Sequence, residues 1–109
     1  MRIPMDPPQP GRAFQFQGAE HGGAGVSFFV NRTPPGRGPS LHRHEYHEVF
    51  VLHEGTMEVT LGDETFVAHG GEMILVPPRA WHAFENVGDE PLLMVSIHPV
   101  AEMVTEWKD

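Results

Sequence analysis

Short strand-like runs broken by glycine and proline roughly every ten residues restrict the folds open to this chain more than any other feature of it. Val26 to Arg32 is rich in β-branched and aromatic residues and ends at Thr33-Pro34-Pro35-Gly36, a strong breaker. Glu48 to Leu52 stops at His53-Glu54-Gly55. Met57 to Leu61 alternates apolar with polar residues, meets Gly62-Asp63-Glu64 and returns as Thr65 to Ala68, the pattern of a hairpin. His69-Gly70-Gly71 turns the chain into Met73 to Val76, Pro77-Pro78 closes that run, and Trp81 to Asn86 and Leu92 to Ile97 supply two more. So many short runs with no helix between them predict an all-β, antiparallel sandwich or barrel over residues 26–98.

The two ends differ from this middle. Residues 1–25 carry Pro4, Pro7, Pro8 and Pro10, then Gly18, Gly22, Gly23 and Gly25, and are expected to form an arm. Within it, Phe14 and Phe16 alternate with polar neighbours from Ala13 to Gln17, which predicts one added strand, on the chain's own sheet rather than on a second subunit. At the other end, Val100, Met103, Val104 and Trp107 fall at i, i+3, i+4 and i+7 behind Pro99, so a short helix over 99–109 is expected to cap the barrel mouth.

Charge and composition exclude several functions. With 15 acidic against 7 basic residues the net charge is −8, which argues against nucleic acid as a partner, because phosphate binding runs on clustered Lys and Arg. The absence of cysteine removes disulfides, thiolate ligands and cysteine nucleophiles together. No apolar run is long enough to cross a membrane, and no apolar signal core follows Met1-Arg2-Ile3-Pro4. A soluble cytoplasmic protein of one domain is the expectation.

Chemistry concentrates in His42-Arg43-His44-Glu45-Tyr46-His47-Glu48. On an extended chain His42 and His44 share one face about 6–7 Å apart, which is chelating geometry, and Glu48 opens the next strand. His82 is a fourth candidate ligand. Three imidazoles and a carboxylate without sulfur suit one divalent first-row metal, Fe, Ni, Cu or Zn by imidazole preference and Mn through the carboxylate. Such a set leaves one or two coordination positions for water or substrate. Buried without a cation, the same four groups would be costly to desolvate.

The spacing of these residues resembles the cupin superfamily. Its first motif, Gly, five residues, His-x-His, three or four residues, Glu, six residues, Gly, is met by Gly36, His42, His44, Glu48 and Gly55. Its second, Gly, five residues, Pro-x-Gly, two residues, His, three residues, Asn, is met by Gly71, Pro77, His82 and Asn86, with Arg79 in place of the motif's glycine. Residues Thr56 to Gly70 separate the two motifs, similar to the shortest spacing among microbial members. The resemblance covers roughly residues 26–98 and implies a double-stranded β-helix, or jelly roll, with a metal in its mouth held by His42, His44, Glu48 and His82.

Side chains in phase with these ligands outline a pocket. Phe50 and Leu52 follow Glu48 on its face, Phe84 follows His82, and Met57 heads another single-face set; Tyr46 stands at the entrance and His98 ends the last strand. Such a wall suits a hydrophobic or planar small molecule, and equally suits a filled core. His98 reads as a strand-end residue, His47 as solvent-facing, and His21, His53 and His69 as surface or satisfied core histidines. One glutamate against a divalent ion leaves the site net positive, which favours an anionic oxygen on the substrate.

These residues lead to a metal-dependent cupin enzyme acting on a small organic molecule. Oxygenation at Fe(II) is favoured because N/O ligands plus open positions accept substrate and O₂ together, with Glu48 able to leave the metal and take a proton. Isomerase, cyclase, lyase or decarboxylase chemistry on the same site is the alternative, as is a non-catalytic metabolite-binding cupin. A homodimer is expected, because apolar edge strands and a loose arm gain from pairing with a copy.

Overall fold

Extended chain turns these apolar runs into alternation in burial. In β4 (Glu48–Glu54), Glu48, Phe50 and Leu52 are buried while Val49 and Val51 are half-buried, and in β9 (Leu92–His98) Leu92, Met94, Ser96 and His98 point inward while Leu93, Val95 and Ile97 point out. The computed structural model describes all residues from Met1 to Asp109. Its remaining strands are β1 (Phe14–Gln17), β2 (Ser27–Thr33), β3 (His42–Arg43), β5 (Thr56–Leu61), β6 (Glu64–His69), β7 (Glu72–Val76), β8 (His82–Asn86) and β10 (Glu106–Trp107). One 3₁₀ turn, Gly18–Glu20, follows β1.

The strands form two five-stranded sheets, ordered β1-β2-β9-β4-β7 and β10-β3-β8-β5-β6, with every pairing antiparallel. This is the jelly-roll arrangement expected from the sequence. Between the sheets lies one apolar core built on Phe50, Leu52, Met57, Val59, Leu92 and Met94. Close packing sets the turns as well. Gly55 has φ of 107°, and a Cβ there would meet the Leu92 Cβ at 2.7 Å, so both backbone angle and space require glycine between β4 and β5.

The outer face of the first sheet is apolar in rows. Register places Phe16, Phe28, Ile97, Val49 and Leu75 side by side across all five strands, and Phe14, Val30, Val95, Val51 and Met73 in the next row. No residue in either row is fully buried, and Leu75 and Met73 on the edge strand are 59% and 74% exposed.

The C-terminal segment departs from expectation. Residues 99–109 contain no helix; the segment runs along the barrel and ends in β10, which pairs with β3 through Glu106 opposite Arg43 and Trp107 opposite His42. Its backbone groups are taken by tertiary partners that a helix would forbid. Ala101 O accepts from Ala19 N and from Ser27 Oγ, Val104 O accepts from His44 Nδ1, and Lys108 N donates to Leu41 O. A two-turn helix is marginal by itself, so these fixed partners win. At the other end, the added strand expected within the arm is β1, paired in-chain with β2.

Candidate metal centre

The site sits inside the β10-β3-β8-β5-β6 sheet and is closed by the facing sheet. His42 on β3 is the direct cross-strand partner of His82 on β8, so their rings lie 4.2 Å apart between centroids. His44 follows β3 in extended chain and turns its ring to the same interior, and Glu48 enters from the start of β4. All four side chains are buried. One ligand-capable atom from each lies within 4.8 Å of all the others, close to the span of about 4 Å that one ion with bonds near 2 Å sets between opposite ligands.

Backbone carbonyls decide which nitrogen of each ring faces inward. His42 Nδ1 lies 2.8 Å from Ser40 O, His44 Nδ1 2.8 Å from Val104 O, and His82 Nδ1 2.9 Å from Ala80 O. A carbonyl only accepts, so each Nδ1 carries the hydrogen and each Nε2 presents a lone pair to the interior. The His82 and His44 Nε2 atoms are 3.0 and 3.1 Å from Glu48 Oε1. Lone pairs then face a carboxylate oxygen. His44 Nε2, despite that proximity, has no hydrogen-bond partner of acceptable geometry and no access to solvent. A cation at the convergence relieves both the orphaned nitrogen and the facing lone pairs, so the donor set fits a divalent metal.

In the metal-free protein the same contacts shift the proton affinities of these groups. Burial would raise the Glu48 pKa, but the imidazoles of His44, His82 and His98 outweigh it and hold the carboxyl far below the usual range. For His44 burial acts downward and is overcome by Glu48 and the Val104 carbonyl, leaving its pKa raised; for His42 burial dominates and lowers it.

A fourth histidine completes the surroundings. His98 is buried at the end of β9, with Nε2 3.2 Å from Glu48 Oε2 and Nδ1 2.8 Å from the Tyr46 hydroxyl. The Tyr46 oxygen accepts from the Val104 N–H at 3.4 Å, and its own hydrogen goes to the nearer acceptor, His98 Nδ1 at 2.8 Å rather than Val104 O at 3.5 Å, which turns the His98 Nε2–H toward Glu48. The reverse tautomer would set a lone pair against the carboxylate. Glu48 therefore turns one oxygen to the three-histidine centre and keeps the other on His98. His98 is not the mere strand-end residue expected. Its signal was its phase: it shares a face with Leu92, Met94 and Ser96, and the register Val49 to Ile97 puts it beside Glu48.

A cavity of about 270 Å³ opens beside the cluster. His42, His44, Glu48 and His98 form its polar end, Phe29, Phe50, Phe84 and Trp107 its apolar wall, and Asn31 and Ser96 a small polar step. Of the predicted pocket residues, Phe50, Phe84 and His98 line it, but Leu52 and Met57 are core residues, 1% and 0% exposed, in contact with the apolar cluster rather than the cavity. Tyr46 stands behind the site, stacked on His44 at 5.0 Å, and not at its entrance. Trp107 takes the mouth instead, 4.8 Å from the His42 ring; sequence reasoning missed it by assigning it to a helix. His47 is exposed, as expected. The motif asparagine, Asn86, serves structure: its amide donates to Thr33 O and Glu90 O while its oxygen accepts from Gly88 N, pinning the loop after β8.

Arg79, standing where the motif carries glycine, adopts φ of 65°. The turn keeps its left-handed geometry without the residue best suited to it, held by the Arg79 N–H donating to His44 O at 2.7 Å.

Fold and site together define a double-stranded β-helix protein with a buried three-histidine, one-carboxylate cluster at the polar end of its cavity. The cupin-domain profile matches residues 23–98, and the chain belongs to the cupin family. Among curated relatives it is 44% identical over 62 residues to the polyketide synthase CurC of Streptomyces cyaneus, covering 56% of this chain and 40% of that protein. It is 38% identical over 64 residues to mannose-1-phosphate guanylyltransferase 2 of Escherichia coli O157:H7, covering 58% of this chain and 13% of that one. Among solved structures, the Bacillus subtilis oxalate decarboxylase with Mn(II) centres superposes with a TM-score of 0.82 at 22% identity, over 98% of this chain and 30% of the decarboxylase. The chain thus spans less than half the length of each of these three proteins. No helix is long and apolar enough to cross a membrane.

Proposed function

We propose that this chain is a metal-dependent cupin enzyme whose His42, His44, Glu48 and His82 hold one divalent ion, and whose substrate is a small, largely apolar molecule carrying an anionic oxygen. The observation that supports it most is the buried His44 Nε2, without a hydrogen-bond partner and aimed with two further lone-pair nitrogens at a carboxylate. A bound divalent ion supplies Lewis acidity and open coordination positions there. The chain's own residues do the rest. Phe29, Phe50, Phe84 and Trp107 exclude water from the apolar part of the substrate, and the Asn31–Ser96 step, 3.4 Å between Nδ2 and Oγ, offers a polar group to orient it. Glu48 is the one carboxylate on the cavity and the base of choice, its proton acceptance opposed by the His98 Nε2 that lies 3.2 Å from its Oε2.

An O₂-dependent oxygenation leads among the reactions such a site can run, with non-oxidative isomerisation, cyclisation or decarboxylation next. The donor set gives iron no advantage over manganese, and the superposed decarboxylase carries Mn(II), so we place the two metals on equal terms ahead of Ni, Zn and Cu. Elemental analysis of protein purified without added metal is expected to show near-stoichiometric transition metal, lost in His82→Ala. Only trace metal in the wild type would remove the metal reading. Oxygen uptake with metal-loaded protein against small aromatic acids and phenols separates oxygenase from the rest; metal retention without turnover of any kind would leave a binding cupin.

A further inference from the structure

We propose that Asn31 and Ser96 select a substrate carrying a neutral hydroxyl group on a flat ring, at the end opposite its anionic oxygen. That class narrows the proposed function, on which it depends for the anionic end alone.

Register lays the inner faces of β2, β9 and β4 in rows. His98 stands beside Glu48 in the row at the ligand cluster. In the next row Ser96 has Phe29 on one side and Phe50 on the other, and in the one after that Asn31 and Leu52 flank Met94. Ser96 is therefore one row, about 7 Å, from His98 and Glu48, between two phenyl side chains that line the cavity with it. Phe84 stands edge-on to Phe50 at 5.6 Å and completes an aromatic wall suited to a flat ring.

A hydroxyl buried in such a wall is costly unless something bonds it. Ser96 is 5% exposed, and its one hydrogen bond is accepted from Asn31 Nδ2 at 3.4 Å, so its own hydrogen has no acceptor in the chain. Asn31 is left with the opposite need. Its Nδ2 also donates to Met94 O at 3.2 Å, which fixes the amide nitrogen on that side, because a carbonyl only accepts. The Asn31 Oδ1 then turns away with no donor from the chain. One unspent donor and one unspent acceptor on touching side chains match a hydroxyl group, which accepts from Ser96 and donates to Asn31 Oδ1. A carbonyl would satisfy Ser96 alone. A carboxylate would set its charge against Asn31 Oδ1, and no lysine or arginine lines the cavity to compensate it. Length and volume agree. One row of about 7 Å is close to the span of a benzene ring with an oxygen-bearing substituent at each end. The cavity of about 270 Å³ is small for a ligand site and takes one substituted ring rather than an extended molecule.

Calorimetric titration of the Mn(II)-loaded full chain with 4-hydroxybenzoate, its near-isostere 4-methylbenzoate and the dianion terephthalate tests the selection. 4-Hydroxybenzoate is expected to bind about 10–100-fold more tightly than 4-methylbenzoate, whose methyl leaves both polar groups buried and unpaired, with terephthalate the weakest of the three. Asn31→Leu is expected to bring the preference for hydroxyl over methyl below about threefold, and Ser96→Ala, the milder change, to do the same should Asn31→Leu not fold. Phenol against toluene, followed by NMR in chelator-treated protein, reads the same discrimination with no metal present. A chain that takes up no metal would thus remove the proposed function while the hydroxyl preference is still decided. Equal binding of the hydroxyl and methyl compounds, a preference that survives both substitutions, terephthalate bound as tightly as 4-hydroxybenzoate, or no binding of any of these probes would overturn the proposal.

Discussion

Glu48 and Arg79 show how much of this site rests on single residues. Glu48 is held at both oxygens, Oε1 toward the three-histidine centre and Oε2 by His98, whose own orientation is set by Tyr46. Partners of a ligand fix its direction and tune its affinity, so His98→Ala is expected to weaken metal binding about 10–100-fold in competition titration, and His98→Gln, which keeps an N–H donor, to recover part of it. Equal affinities for all three proteins would show that His98 does not position the carboxylate. Arg79 makes the opposite case, a residue whose side chain contributes little and whose backbone angle costs something. Its ion pair with Glu45 spans 3.5 Å between two largely exposed side chains, while its φ of 65° lies where a Cβ is penalised. Arg79→Gly is expected to stabilise the fold by about 1 kcal/mol in denaturant or thermal unfolding, with no stabilisation showing that the turn carries no strain.

At the scale of elements, the strands were legible because short apolar, β-branched runs end at glycine and proline, and Met57 to Leu61 alternates with a period of two. Glu48-Val49-Phe50-Val51-Leu52 and Leu92 to Ile97 are apolar runs bounded by turn residues whose burial alternates once the chain is extended, and Gly55 marks a turn that admits no side chain. The spacing of His42, His44, Glu48 and His82 was legible as well, since extended chain maps sequence interval directly onto direction. The C-terminal segment was not. Four apolar residues over two turns satisfy a helical period, yet Val104 and Trp107 are exposed, and the hydrogen bonds that fix the segment come from residues 41, 44 and 19, far away in sequence. His98 and Trp107 were obscured alike, because their roles depend on inter-strand register. The misplaced strand has a consequence for access. Trp107 is 56% exposed and lies over His42, so Trp107→Ala should change stability by less than about 0.5–1 kcal/mol while widening the cavity mouth. Bound metal should then be extracted faster by chelator; an unchanged extraction rate would show that Trp107 does not gate the site.

Across the whole molecule, the buried cluster ties folding to protons and, under the proposed function, to metal. Without metal, Glu48 has a folded pKa below its ordinary value of 4.5, so its contribution is present above that pH and is lost as pH falls. His44, raised, contributes below 6.5 and loses its contribution as pH rises through its folded value; His42, lowered, has the opposite sign and offsets it. The acid limb is thus the clear one. Thermal midpoints of chelator-treated protein should drop below about pH 4.5, and Glu48→Gln should flatten that limb; parallel curves would assign the acid sensitivity elsewhere. Under the proposed function, a bound ion would act on the same equilibrium with larger effect. An ion that binds the folded chain alone adds about 2.7 kcal/mol at a free concentration a hundred times its Kd, and for a domain of this size that raises the midpoint by about 10–20 °C. The rise should appear with Mn(II) or Fe(II) at neutral pH, shrink as pH falls and protons compete for the imidazoles, and vanish in His82→Ala, whose Nε2 faces the same point as those of His42 and His44. A shift that survives His82→Ala would move the metal to another part of the acidic surface and leave the buried cluster to be explained by its hydrogen bonds alone.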